Sequence, residues 1–132
     1  MPRVVFDTNI FISAFITSGG NGERAVKAVL DDKAGLFTSI QLLTELARIL
    51  ENKFGWEKAA VERAVVLAAS LGKVVKPSRK IGVLHDDPDN RVLECASEAG
   101  ADLIVTGDGH LLSLGKFEEI KIVTLSEFLK TI

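Results

Sequence analysis

The chain has 132 residues, 47% of them hydrophobic, with 16 Lys and Arg against 18 Asp and Glu for a formal charge of −2. That length suits one domain over 1–132 with a core of its own, and a mean hydropathy of +0.25 excludes an intrinsically disordered chain. A pI near 5.7 supplies no global attraction to phosphate, and a single cysteine excludes a disulfide framework.

In chain order, Val4-Val5-Phe6 is too short for a helix and β-branched enough for a buried strand, predicted over 3–6. A helix near 9–17 follows, then Gly19-Gly20-Asn21-Gly22, which reads as a loop and not as a phosphate-binding one, because no Lys-Ser/Thr follows it. Next come a helix at 23–33, a strand near 36–38 and a helix at 39–53. Helix 57–71 carries apolar residues almost all round, so it is expected to be deeply buried or packed against another chain; a homodimer is the favoured outcome. A strand at 73–76, a helix at 90–99, a strand at 102–106, a short helix at 108–114, a strand at 120–123 and a helix at 125–131 complete the pass. Such alternation predicts an α/β fold, three layers α/β/α around a mainly parallel sheet. No apolar run is long enough to cross a bilayer, and Met1-Pro2-Arg3 leads directly into a strand rather than a signal peptide, so a cytoplasmic protein is expected. Cys95, among Val92, Leu93 and Ala96, reads as a buried reduced thiol.

Four acids fall where this plan delivers them to one end of the sheet. Asp7 follows the first strand, and Asp108 follows the strand at 102–106 after the turn at Gly107. Ligands bind in the crevice beyond the carboxyl ends of parallel strands. Glu45 lies within helix 39–53, at the edge of an apolar arc made by Leu42, Leu43, Leu46, Ala47, Ile49 and Leu50, and is therefore aimed toward the sheet. In His85-Asp86-Asp87-Pro88-Asp89-Asn90, Asp89 is preferred and Asp86 is the second choice. Pro88 disfavours the helical region at Asp87, which predicts a helix beginning after it with Asp89 near its N-cap. The competing role for Asp7, Asp89 and Asp108 is helix capping alone. Asn9 and Thr106 offer neutral oxygens that could orient a ligating carboxylate, and Asn9, like Thr8, could equally cap the first helix. Ser39 reads as an N-cap; His110, backed by Leu111-Leu112, reads as ordinary surface.

The segments Val4–Ala14, Thr38–Leu46, Asp87–Ala96 and Ala101–Leu112 resemble the PIN domains over almost the whole chain, and most of all the prokaryotic single-domain toxins related to VapC-type ribonucleases. The resemblance implies that Asp7, Glu45, Asp89 and Asp108 form an acidic quartet holding Mg²⁺ or Mn²⁺ for RNA cleavage. It also implies a homodimer and a cognate antitoxin that blocks the site. Hard divalent cations prefer oxygen ligands and leave positions for water and phosphate, so such a site needs no His base or Ser nucleophile. Without metal, at least one of four clustered carboxyls should hold its proton more tightly than a free acid.

Cations that could steer RNA are Arg48 and Lys53 on the third helix, Lys76, Arg79 and Lys80 before Ile81, and Arg91 beside Asp89, although each is an ordinary solvated cation taken alone. Two other classes compete. A phosphoacceptor receiver needs an Asp on a central strand and a late strand-end Lys, but Val74-Val75 runs into Lys76-Pro77 and Ile122-Val123 into Thr124. A catalytically silent module binding a protein partner or RNA would keep the fold without needing all four acids.

Overall fold

The computed structural model describes all of residues 1–132. In chain order the elements are β1 (Arg3–Phe6), α1 (Thr8–Ile16), α2 (Asn21–Leu30), β2 (Gly35–Ser39), α3 (Ile40–Asn52), α4 (Lys58–Leu71), β3 (Lys73–Val75), α5 (Asp87–Ala99), β4 (Leu103–Val105), α6 (Gly109–Leu114), β5 (Lys116–Phe117), β6 (Ile120–Val123) and α7 (Leu125–Thr131). The strands form one six-stranded sheet in the order β3-β2-β1-β4-β6-β5, parallel except for the β5–β6 pair. Val4 pairs with Leu36 on one side and Leu103 on the other, so β1 is central.

Burial on both faces explains why the central strands read as unbroken apolar runs. Along β1 the side chains alternate between two cores: Val4 and Phe6 join the cluster with Ile10, Phe11, Leu46, Leu50 and Phe128, whereas Val5 joins Val92, Leu93, Ile104 and Leu111. Helices α1–α4 and α7 thus cover one face and α5 and α6 the other, giving the expected three layers. From β1 the chain moves outward through β2 to β3, then returns through α5 to β4 on the opposite flank of β1. The β1–β4 boundary is therefore the switch point at which the carboxyl ends diverge and open a crevice.

Several elements differ from their sequence-based expectation. Helix α5 starts at Asp87, not after Pro88, because proline is well tolerated in a helix's first turn, where its missing N–H would be unsatisfied anyway. Asp86 takes the N-cap position, and Asp89 is the third helical residue and no cap. The Gly19–Gly22 segment is only half a loop: α2 begins at Asn21, and Gly22 is buried inside it against α1. A short strand, β5, turns back on β6 through Glu118, whose φ of 55° makes the tight reversal. Helix α4 is not deeply buried; only Val61, Ala64 and Ala68 are fully covered, and Val66 is 67% exposed.

Between β3 and α5 the chain runs for eleven residues, 76–86, without helix or strand. Side chains of α5 hold it in place of a backbone ladder. Asn90 donates to the Leu84 carbonyl and accepts from its N–H, both at 2.9 Å, and Glu94 Oε2 accepts from the Ile81 N–H at 2.9 Å and from Arg91 at 2.7 Å. Glu98 accepts from both the backbone and hydroxyl of Ser78. This strap ends at Asp86, on the rim of the crevice. Helix α5 closes at Gly100 (φ 59°), a left-handed position suited to glycine.

Candidate functional site

Asp7 leaves β1 at its carboxyl end and caps α1, its Oδ1 accepting from the Thr8 N–H at 2.7 Å. Its Oδ2 accepts from the Thr106 hydroxyl at 2.7 Å and from the Asn9 amide at 3.1 Å. Thr106, at the end of β4, uses the same hydroxyl to accept from the Asp108 N–H at 2.9 Å, and Asn9 Oδ1 accepts from the Gly107 N–H at 3.3 Å. One hydroxyl and one amide therefore tie the ends of β1 and β4 together across the switch point. Asp108 caps α6, its Oδ1 taking the N–H groups of His110 and Leu111 at 2.8 and 3.1 Å. For Asp7 and Asp108, capping and a ligand role are compatible, because capping fixes the orientation of a carboxylate without exhausting its lone pairs.

Asp89 reaches the same crevice from α5. It is buried, and its Oδ2 has no hydrogen-bond partner. Native folds rarely leave a buried carboxylate oxygen orphaned, and such an atom calls for an absent ion or water. Burial, then the charges of Asp108, Asp7 and Asp86, push the Asp89 carboxyl up to about 6 from an ordinary 3.8. Burial also raises Asp7, opposed by its hydrogen bonds from Thr106 and Thr8 and reinforced by the charge of Asp108. The tighter proton expected of a crowded carboxylate set is thus present, most of all at Asp89.

Glu45 stands across the crevice on α3, held by Arg48 through contacts of 2.6 Å (Nη2 to Oε1) and 3.2 Å (Nε to Oε2). Asp7, Asn9, Glu45, Asp86, Asp89 and Asp108 all line one cleft of about 630 Å³. All four preferred acids and the second choice, Asp86, whose side chain makes no capping bond, line this one cleft, although Asp7 and Glu45 stand outside the tighter group of ligand atoms formed by Asp89, Asp108 and His110. Thr106 lies beneath, fully buried, and acts through Asp7 and Asp108. Ser39 caps α3 through the Leu42 N–H and is buried outside the cleft lining. Cys95 is a buried thiol whose pKa burial pushes up to about 12, leaving it inert.

Sequence reading set His110 aside. Its ring is exposed, yet Nδ1 lies 3.8 Å from Asp108, and ligand atoms of Asp89, Asp108 and His110 all fall within 4.8 Å of one another. The signal was its position two residues after Asp108, on the first turn of α6, and the apolar pair behind it obscured that. Arg48 and Lys53 do line the cleft, whereas Arg79 is paired with Glu118 and Arg91 with Asp87 and Glu94.

The family model for the PIN domain matches residues 3–110, from the first strand through the turn that carries Asp108 and His110. The chain belongs to the PIN-domain family. A relative by sequence is the uncharacterized protein MJ1680 of Methanocaldococcus jannaschii, 29% identical over 140 aligned positions that take in 97% of this chain and 90% of that protein. Among solved structures, VapBC2 from Rickettsia felis, bound to a DNA fragment from its promoter, superposes with a TM-score of 0.68 at 14% identity, over 92% of this PIN chain and 98% of that one. PAE2754 from Pyrobaculum aerophilum gives 0.62 at 18% identity, covering 99% and 88%. VapC20 of Mycobacterium tuberculosis, described as a sarcin–ricin loop cleaving toxin, gives 0.55 at 19%, covering 89% and 98%. At these identities the likeness establishes the PIN fold, a mostly parallel sheet between helical layers.

The donor set of this PIN cleft fits a hard divalent cation. It offers carboxylate oxygens and no thiolate, its carboxyls repel one another, and one buried oxygen has no partner.

Proposed function

We propose that this PIN domain is a divalent-metal-dependent endoribonuclease, using Mg²⁺ or Mn²⁺ to hydrolyse RNA phosphodiester bonds in the cytoplasm. The observation that carries the reading is Asp89: a buried carboxylate oxygen without a partner, in a cleft where Asp7, Asp86 and Asp108 already raise the cost of its charge. A cation compensates all of these at once. Asp7, Glu45, Asp89 and Asp108 are the proposed ligands, with Asp86 at the rim and His110 within reach of Asp89 and Asp108. Bound there, a divalent ion would acidify a water for attack on phosphorus and stabilise the departing oxygen. Thr106 and Asn9 hold the Asp7 carboxylate in one orientation, which favours a fixed geometry over a wandering ligand. Helix α3 lines the cleft with Glu45, Arg48 and Asn52, followed by Lys53, so polar and cationic groups stand beside the acids.

We further infer a place for the protein as the toxin of a toxin–antitoxin pair, restrained by a cognate antitoxin and acting as a homodimer through α4. Support comes from the fold shared with VapBC2 and with VapC20, the latter described as a sarcin–ricin loop cleaving toxin. The exposed apolar residues of α4 support the dimer.

The test is cleavage of labelled single-stranded and structured RNAs with Mn²⁺, Mg²⁺ or EDTA, beside Asp7→Asn. Cutting that needs metal and is lost in Asp7→Asn is the expected result. No cutting by the native protein, together with no effect of Mn²⁺ on its melting temperature, would replace the nuclease with a silent PIN-fold interaction module.

A further inference from the structure

Five carboxylates line the cleft and only two cations, Arg48 and Lys53, stand among them. Glu45, Arg48, Ile49 and Asn52 follow one another at helical spacing on α3 and all face the cleft, so the face that brings Glu45 inward brings a guanidinium with it. Arg48 grips Glu45 through two nitrogens, yet its side chain is 57% exposed and that of Glu45 only 22%. With the guanidinium largely in solvent, the pair yields to a stronger competitor, and a divalent cation that takes Glu45 displaces Arg48. The freed guanidinium keeps a planar fork that fits a phosphate as well as a carboxylate. Arg48 is the only arginine lining this cleft, and its nearest competitors are already engaged: Arg91 by Asp87, Glu94 and the Ile81 carbonyl, and Arg79 by Glu118.

We propose that Arg48 is an exchange residue of this site, neutralising Glu45 in the metal-free protein and binding a phosphate of the RNA strand once Glu45 is given to the metal. The inference rests on the nuclease reading and adds a direction to it. The phosphate flanking the scissile one lies along α3, toward Asn52 and Lys53. The acids alone repel the substrate, and Arg48 is released to attract it only when the metal arrives, so metal loading and RNA capture are coupled through one side chain.

Two measurements on Arg48→Ala, with opposite expected signs, test this. Mn²⁺ titration by calorimetry should show binding tightened roughly two- to fivefold, because a competitor for Glu45 has been removed. Anisotropy of a fluorescein-labelled single-stranded RNA, with Ca²⁺ replacing Mn²⁺ to limit cutting, should show binding weakened several-fold. The slope of log affinity against log salt should be shallower by about 0.7 to 1. Arg48→Lys should restore the salt slope while leaving affinity below the parent, since an ammonium cannot fork. If the native protein binds both ligands and Arg48→Ala changes neither, or tightens Mn²⁺ without weakening RNA, the exchange is wrong and the nuclease reading stands. A native protein that binds neither Mn²⁺ nor RNA overturns both.

Discussion

Between its ordinary value of 3.8 and its shifted value of about 6, Asp89 keeps a proton in the folded protein that the unfolded chain has already released. The native state then binds more protons than the unfolded state, and stability must fall as pH rises through that window. The raised Asp7 carboxyl acts with the same sign. In EDTA, the melting temperature is expected to show a drop between about pH 4 and pH 6 that Asp89→Asn removes, leaving the variant more stable than the parent at pH 7 by a shift on the order of 5 °C. Mn²⁺ should reverse the order at pH 7, stabilising the parent and not the variant. Thermal denaturation across pH, with and without metal, checks both. At this scale much of the site was legible, because Asp7 directly follows β1 and Asp108 follows β4 within three residues, and the apolar runs of both strands are unmistakable. The Asp89 environment was not: its position depends on where α5 begins, and the rule about the residue before proline pointed past Pro88 when the first helical turn accommodates it.

Among elements, the α1–α2 corner shows what local pattern cannot carry. A Cβ placed on Gly22 would lie 2.6 Å from the Ala14 backbone nitrogen and 2.9 Å from the Ser13 carbonyl carbon, so glycine there lets α2 start against the backbone of α1. Sequence reading took that glycine as loop material because its neighbours are Gly19 and Gly20; the reason for it lies in another helix. Gly22→Ala should cost about 1–3 kcal/mol, as overpacking does, with a lower urea midpoint and an unchanged denaturant slope. Strand order was open for a related reason. Periodicity identified β1, β2, β3, β4 and β6 within a residue or two, while the two-residue β5 is defined only by its antiparallel partner β6.

For the molecule as a whole, charge and apolar surface are laid out on different sides. The acids gather at the carboxyl ends of β1 and β4, whereas the outer face of α4 carries Val66 and Leu67 into solvent beside a shallow groove floored by Phe15, Trp56 and Ala60. The sequence announced α4 as nearly all apolar and left open whether the same chain or another would cover it; the fold buries three of its residues, half-buries Ala60, Val65, Ala69 and Leu71, and leaves Val66 and Leu67 exposed. The proposed homodimer would use that face. Leu67→Glu together with Val66→Glu is expected to shift the sedimentation coefficient to that of a monomer. Because both side chains are largely outside the core, the melting temperature of the monomer should stay near its parent's value at low concentration.

The sheet order also governs when the acidic centre can exist. Asp7 and Thr106, hydrogen-bonded at the middle of the molecule, are separated by 99 positions, and β4 must insert beside β1 before they meet. A chain emerging from synthesis amino-terminus first presents Asp7 early, then Glu45, then Asp89, and acquires Thr106 and Asp108 only when most of it has been made. Until then β1 has an unpaired flank, the ligands belong to no common pocket, and premature termination before β4 yields a fragment with nothing to cut with. On the proposed ribonuclease reading the fold itself postpones hazard, since a nascent chain would hold no assembled acidic centre beside its own template until the last strands arrive.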